Sequence, residues 1–165
     1  MKKLLSFLLA LGLSLSLAAC TQGETPDTGG SSSTPPVEEN FSEGLSYLKK
    51  TDGSYSVTGV GSCTDAEIII PATYQNLPVV EIAENAFALT DTITSVTIPE
   101  SVVAISPNAF YLCVGLESVI FKDVEGWIVK ELDTVVTGTA VDLTNASQAA
   151  TLLKDTYSTY FWRKA

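Results

Sequence analysis

The sequence predicts a short, mainly β solenoid of about 2.5–3 coils, closed at its C-terminal end by a capping helix. Two observations lead to the solenoid. Apolar residues recur at a fixed offset of 23 positions, and each copy contains a short run in which apolar and polar residues alternate. The helix is predicted by apolar residues spaced three to four positions apart after residue 145.

Residues 1–19 are predicted to be a secretory signal peptide. Lys2 and Lys3 precede an apolar run, Leu4–Leu17, that is shorter than the roughly 20 residues of a membrane span. The sequence Leu-Ala-Ala-Cys at 17–20 then resembles the lipobox of bacterial lipoproteins. That resemblance implies a diacylglyceryl anchor, carrying chains such as palmitate, on the sulfur of Cys20 and cleavage before it. An ordinary signal peptide followed by a chance cysteine is the alternative.

Residues 20–40 are predicted to be the lipidated cysteine and a disordered tether. The sequence TQGETPDTGGSSSTPPVEEN holds one large apolar residue, Val37, and is rich in Thr, Ser, Gly and Pro. Such a composition cannot bury enough surface to offset the entropy lost on ordering. Residues 41–67 follow as a hairpin-like N-terminal cap, with apolar side chains that include Leu45, Tyr55 and Val57.

The repeats are predicted to span residues 68–125. The segment 82–87 (IAENAF) matches 105–110 (ISPNAF), and Val96 and Ile98 match Val119 and Phe121 at the same offset of 23. A partial copy at 68–71 matches 96–99 at an offset of 28, and its five extra residues fall around 72–77, in a polar stretch suited to a loop. One such unit cannot bury its apolar stripe alone, so the copies are expected to stack through parallel strands.

Apolar and polar residues alternate within each strand, which separates a row of buried side chains from a row of outward-facing side chains. Because successive side chains of a strand point to opposite faces, Val96 and Ile98 face inward when Ser95 and Thr97 face outward. The next repeat places Ser118 and Ile120 outward in the same way. These four residues, Ser95, Thr97, Ser118 and Ile120, are the predicted binding face.

The repeat itself is similar to a known family. Residues 98–121, IPESVVAISPNAFYLCVGLESVIF, resemble the BspA-like leucine-rich repeats, also described from treponemal surface proteins. The resemblance implies a cell-surface protein that adheres to or binds protein partners. Cys113 lies where that repeat often has cysteine, which favours a small buried residue, although a disulfide with Cys63 is the alternative.

Residues 126–165 are predicted to be a C-terminal capping segment. Thr144 or Asn145 is suited to cap the helix, and its apolar face comprises Ala146, Ala149, Ala150, Leu153, Tyr157 and Tyr160. Two tryptophans flank this region, Trp127 and Trp162. They either contact a ligand such as a sugar ring or close the end of the solenoid.

Composition argues against several functions. The chain has no histidine and a net charge of −10, which disfavours general-base chemistry, metal binding and nucleic-acid binding. Glu84, Glu100, Glu117 and Glu125 have no activating partner in view, so we predict no catalytic residue, metal or cofactor. Membrane contact is expected only through the covalent lipid. The functions left open are binding or adhesion to a protein, glycan binding, and a structural role in the envelope.

Overall fold

The computed structural model describes residues 40–165. The predicted signal peptide, Cys20 and all of the tether except Asn40 lie outside the described residues. The described part is mainly β, with one short α-helix, α1, at Ala146–Thr151. No helix of the described residues is long and apolar enough to cross a membrane. The strands are β1 (Ser46–Lys49), β2 (Tyr55–Gly59), β3 (Glu67–Ile69), β4 (Thr73–Tyr74), β5 (Leu77–Ile82), β6 (Ser95–Ile98), β7 (Ala104–Ile105), β8 (Ser118–Phe121), β9 (Trp127–Lys130), β10 (Thr139–Ala140) and β11 (Phe161–Lys164).

Strands β3, β6 and β8 form a three-stranded parallel sheet that follows the sequence repeat. Val96 pairs with Val119, which is the offset of 23. Ile68 pairs with Val96, which is the offset of 28 predicted for the partial copy. Matching positions of consecutive repeats therefore lie side by side, as the repeat predicted.

A second, larger sheet begins with the N-terminal hairpin. β1 and β2 pair antiparallel, and β2, β5 and β7 continue as parallel neighbours. Ile82 pairs with Ile105, again at an offset of 23. The order of this sheet is β1-β2-β5-β7-β11-β9-β10, with β4 attached to β5.

The extra residues of the partial copy form a β-hairpin rather than an irregular loop. β4 and β5 pair antiparallel, and Gln75 and Asn76 form the turn with positive φ values of 49° and 62°. Two consecutive residues with positive φ are the geometry of a tight two-residue hairpin turn, which asparagine tolerates well. The parallel pairings of β3 with β6 and of β5 with β7 remain in regular register around the insertion, whereas the pairing of β2 with β5 shifts between Tyr55 and Ser56.

The core consists of the inward residues of both sheets and of the turns between them. Phe87 and Phe110, at matching positions of two repeats, are fully buried and stack with ring centroids 5.2 Å apart. The turns of the two repeats are also joined by backbone hydrogen bonds, since the Phe87 amide donates to the Ala109 carbonyl at 2.8 Å. Side chain and backbone thus both tie one repeat to the next.

Glu81 forms the most extensive side-chain hydrogen-bond network of the larger sheet. Its carboxylate accepts hydrogen bonds from Lys50 Nζ at 2.7 Å, Ser106 Oγ at 2.8 Å and Ser56 Oγ at 3.3 Å. Burial alone would raise the pKa of Glu81, but the hydrogen bonds from Lys50 and Ser106 outweigh it and hold that pKa below its ordinary value. The carboxylate therefore links the N-terminal hairpin to two successive repeats.

The C-terminal segment covers the last repeat, but the helix is shorter than predicted. Asn145 caps α1 by accepting a hydrogen bond from the Gln148 amide, and α1 packs against β8. A wider π-helical turn at Leu152–Thr156 follows and ends before Tyr160, which the sequence had placed on the helix. The chain then returns as β11, an antiparallel strand between β7 and β9. Its backbone groups pair with both neighbours there, which a longer helix would not allow.

Candidate ligand-binding face

The four residues of the predicted binding face do lie together. Ser95 is opposite Ser118, and Thr97 is opposite Ile120, on the outward side of β6 and β8. Adjacent strands are about 4.8 Å apart, so each pair forms a continuous contact surface. Ser95, Thr97 and Ser118 are partly buried, whereas Ile120 is 47% exposed.

Strand β3 extends both rows by one residue, which sequence reasoning missed. Glu67 pairs with Ser95, and Ile69 pairs with Thr97. We call the resulting six-residue surface the repeat face; it comprises Glu67, Ile69, Ser95, Thr97, Ser118 and Ile120. One row carries a carboxylate and two hydroxyls, and the other carries two isoleucine side chains on either side of a threonine. The signal for these two residues was the offset of 28 between 68–71 and 96–99, which places β3 beside β6.

A groove of about 510 Å³ opens at the C-terminal ends of these strands. Its walls include Ile69 and Thr97 of the repeat face, together with Phe41, Pro99 and Lys122. Asn40, Ile70, Ala72 and Glu100 complete the lining. The groove thus offers apolar surface with one carboxylate and one ammonium group at its border.

The N-terminal segment fixes one wall of the groove. The Ser42 amide donates to the Ile69 carbonyl at 3.0 Å, and Ser42 Oγ accepts from the Ile69 amide at 3.0 Å. Ser42 is buried by this contact, and the neighbouring Phe41 is 43% exposed beside the groove. The pair of hydrogen bonds satisfies backbone groups at the edge of β3, where an open strand edge would invite pairing with another chain. Nothing in the sequence pattern pointed to Ser42.

The two tryptophans are not surface contacts, and this corrects the suggestion that they meet a ligand. Trp127 is 2% exposed and Trp162 is 1% exposed. The Trp127 indole donates to the Asp123 carbonyl at 3.0 Å, and the Trp162 indole donates to the Tyr157 carbonyl at 3.1 Å. Both rings lie in the core where β9 and β11 close the last repeat, so neither ring face is available to a sugar.

The two described cysteines are not paired with each other. Cys113 is fully buried, and its thiol donates to the Phe87 carbonyl at 2.7 Å. Burial raises the pKa of this thiol above its ordinary value, which keeps it protonated. Cys113 therefore behaves as a small core residue that also links two repeats, and Cys63 is free and partly exposed.

No site for a metal is apparent within residues 40–165, because no group of three or more His, Cys, Asp and Glu side chains is placed to hold an ion there. Glu84, Glu100, Glu117 and Glu125, weighed above as acids or bases, are all exposed. The repeat face and its groove present hydroxyls, methyl groups and isolated charges at fixed spacing.

Comparison with solved structures finds bacterial leucine-rich-repeat proteins. A leucine-rich repeat protein from Bacteroides capillosus is 33% identical over 47% of this chain and 61% of its own, with a TM-score of 0.43. The T. pallidum leucine rich repeat protein is 26% identical over 50% of this chain and 39% of its own, with a TM-score of 0.44. A leucine rich cell surface protein from Faecalibacterium prausnitzii is 28% identical over 53% of this chain and 24% of its own, with a TM-score of 0.45.

The chain spans less than two thirds of the length of each of these three proteins. No curated protein matches it. The family model described as "BspA type Leucine rich repeat region (6 copies)" matches residues 61–130, a stretch that contains the predicted repeats at 68–125. Residues 61–130 therefore form a leucine-rich-repeat region of the BspA type.

Proposed function

We propose that this chain is a surface-displayed module that binds a protein partner through the repeat face. The observation that carries the proposal is the alignment of outward side chains in two rows across three strands, Glu67–Ser95–Ser118 and Ile69–Thr97–Ile120. Side chains held at fixed spacing by a rigid sheet lose little conformational entropy when they bind. The groove beside the face adds a concave element to a surface that is otherwise flat.

The proposal includes the architecture behind the face. We propose that the parallel strands belong to a short solenoid of about 2.5–3 coils, whose two ends are covered by the β1–β2 hairpin and by the C-terminal segment. The matching offsets in both sheets support this arrangement, because Val96 pairs with Val119 and Ile82 pairs with Ile105. Stacking of this kind buries an apolar stripe that a single repeat leaves exposed.

Display at the cell surface is the second part of the proposal. The leader at 1–19 and the lipobox-like sequence support export and lipid attachment at Cys20, and residues 21–40 would hold the folded part away from the bilayer. A lipid with two acyl chains gives stable membrane anchoring, whereas one chain is marginal. A face this small would bind weakly by itself, so many anchored copies would be needed to hold a partner through avidity.

Binding rather than catalysis fits the chemistry of the face. Its hydroxyls belong to Ser95, Thr97 and Ser118, and the chain has no histidine to activate them. The alternatives to a protein partner are a glycan ligand and a structural role in the envelope without a specific ligand.

The test compares two charged variants of the face with one control. Thr97→Arg and Ile120→Arg place a long cation on the repeat face, whereas Val114→Arg places it at an exposed turn residue, Val114 being 71% exposed. Adhesion of cells displaying each variant is measured on surfaces coated with matrix proteins or mucus. We expect both face variants to lose adhesion while the control keeps it. Equal adhesion by all variants would contradict the proposal.

Anchoring is tested separately. Wild-type chain and Cys20→Ala are expressed in a lipoprotein-producing bacterium supplied with radiolabelled palmitate. The wild type is expected to carry the label and to stay with the membrane fraction, and Cys20→Ala is expected to carry none. A wild-type chain without label would refute lipidation and leave the question of partner binding to the adhesion test.

A further inference from the structure

A second groove, of about 530 Å³, lies at the C-terminal end of the fold. Tyr157 and Tyr160 form one wall, and the β9–β10 hairpin forms the other. We call it the tyrosine groove; it is lined by Val129, Lys130, Glu131, Leu132, Val135, Thr137, Gly138, Thr139, Tyr157 and Tyr160. None of these residues belongs to the repeat face, so the tyrosine groove is an independent candidate site.

The hairpin wall makes hydrogen bonds within its own loop and an ion pair with β11. Lys130 Nζ donates to the carbonyls of Asp133 at 3.1 Å and Val135 at 2.9 Å. The Asp133 carboxylate also pairs with Arg163 Nε of β11 at 2.9 Å, and that hydrogen bond lowers the pKa of Asp133 below its ordinary value. Gly138 lies so close to β9 that an added Cβ would be 2.7 Å from the Val129 carbonyl oxygen. These contacts shape the wall before any ligand arrives.

The tyrosine wall packs against the core and carries a polar group at its edge. The rings of Tyr157 and Tyr160 meet edge to face with centroids 5.1 Å apart, and Tyr157 packs against the buried Trp162. The Tyr160 hydroxyl donates to the Glu131 carboxylate at 3.2 Å. That hydrogen bond raises the pKa of Tyr160, so the phenol stays protonated. The Glu131 carboxylate has further lone pairs that can accept hydrogen bonds from other donors.

The chemistry of the groove matches a sugar. The partly buried rings of Tyr157 and Tyr160 offer a surface for the apolar face of a pyranose, while Glu131, Thr137 and Thr139 offer partners for its hydroxyls. The volume is in the range of small-ligand sites, roughly 300–1,000 Å³, whereas a protein partner needs a flat area of about 800 Å². The carboxylate and the net charge of −10 disfavour an anionic sugar.

We propose that the tyrosine groove binds a neutral oligosaccharide, with Tyr160 stacking on a sugar ring and Glu131 accepting hydrogen bonds from its hydroxyls. The sugar-binding residues would then be tyrosines on the surface rather than the two tryptophans, whose rings are buried. The inference does not rest on the function proposed for the repeat face. It gives the module a second ligand of a different class, bound at the opposite end of the chain from the N-terminal hairpin.

The experiment titrates the full chain with oligosaccharides and follows binding by isothermal calorimetry and by NMR shifts of the hairpin amides. The probes are neutral cello- and chito-oligosaccharides and, for comparison, anionic oligogalacturonate. Tyr160→Ala removes the ring, Tyr160→Phe removes only the hydroxyl, and Glu131→Gln removes only the charge. Tyr111→Ala is the matched control, because Tyr111 is also a surface tyrosine, 43% exposed, but does not line the groove.

We expect a neutral oligosaccharide to bind, Tyr160→Ala to weaken it about tenfold, and Tyr160→Phe and Glu131→Gln to weaken it about two- to fivefold. Tyr111→Ala is expected to bind like the wild type. Failure of every neutral probe to bind, or tighter binding of oligogalacturonate, would overturn the proposal. If Tyr160→Ala does not fold, wild-type affinity in both Tyr160→Phe and Glu131→Gln would overturn it equally.

Discussion

Glu81 provides the sharpest test of how the N-terminal hairpin is joined to the repeats. Its side chain is 19% exposed and accepts hydrogen bonds from Lys50, Ser106 and Ser56. A hydrogen bond to a charged group contributes about 1.5–3 kcal/mol, and a glutamine retains part of the network as a neutral acceptor. We therefore expect Glu81→Gln to lower the free energy of unfolding by about 2 kcal/mol at pH 7. Glu117→Gln, at an exposed position, is the control and is expected to change it by less than about 0.5 kcal/mol.

The pH dependence gives the same test a second reading. The pKa of Glu81 is lower in the folded chain than in the unfolded chain, so the charged carboxylate adds stability above the unfolded value of about 4.3. That contribution is lost as the pH falls through the folded pKa, where the wild type carries a neutral acid. Urea unfolding of both chains from pH 7 to pH 3 is therefore expected to show the difference between wild type and Glu81→Gln shrinking toward acid pH. A difference that persists unchanged at pH 3, or an equal loss in Glu117→Gln, would refute the reasoning.

Three further predictions concern the stability of the repeats and of the helix. Leu89 and Leu112 have positive φ values of 62° and 56°, which asparagine tolerates better than leucine, and their side chains are 71% and 47% exposed. Leu89→Asn and Leu112→Asn are therefore each expected to raise the free energy of unfolding by about 0.5–1 kcal/mol. Asn85→Leu, at φ 58°, is expected to lower it. Urea unfolding checks this, and a loss of stability in both asparagine variants would contradict it. Phe110→Ala is expected to lower the free energy of unfolding by about 3–5 kcal/mol because the ring is fully buried against Phe87. The control Tyr111→Ala is expected to change it by less than about 0.5 kcal/mol. Equal effects of the two substitutions would count against the stacked core. Asn145→Ala is expected to lower the free energy of unfolding by about 1 kcal/mol, because Asn145 Oδ1 no longer accepts the hydrogen bond from the Gln148 amide. Asn145→Ser is expected to be about as stable as the wild type. An alanine variant as stable as the serine variant would show that the cap is unimportant.

Sequence periodicity predicted the parts of the fold in which one repeat meets the next. An offset of 23 places Val96 beside Val119 and Ile82 beside Ile105, and the two-residue period of a strand then determines which side chains point outward. For the same reason Ser95, Thr97, Ser118 and Ile120 could be assigned to one face from the sequence. Whether that face binds a ligand is a separate question, which the adhesion test addresses.

Periodicity could not predict contacts between segments that do not repeat. β11 pairs with both β7 and β9 through backbone hydrogen bonds, and Ser42 binds Ile69 through its amide and its hydroxyl. Neither contact leaves a repeating pattern in the sequence. The burial of Trp127 and Trp162 follows from those pairings, since the rings are covered only once the C-terminal segment has returned as a strand. A spacing of three to four residues also extended the predicted helix to Tyr160, although the chain turns after Thr156 to form β11.

The central claim is that consecutive repeats pair in parallel and in register, so that Ser95 lies beside Ser118 and Thr97 beside Ile120 on one outward face. The most direct test is the set of interstrand nuclear Overhauser effects between the backbone protons of 95–98 and 118–121 in the labelled chain. The account predicts contacts that link each residue of β6 with the residue 23 positions later. A pattern shifted by one residue would turn the outward side chains into the core. Such a shift, or the absence of contacts between the two segments, would contradict the account.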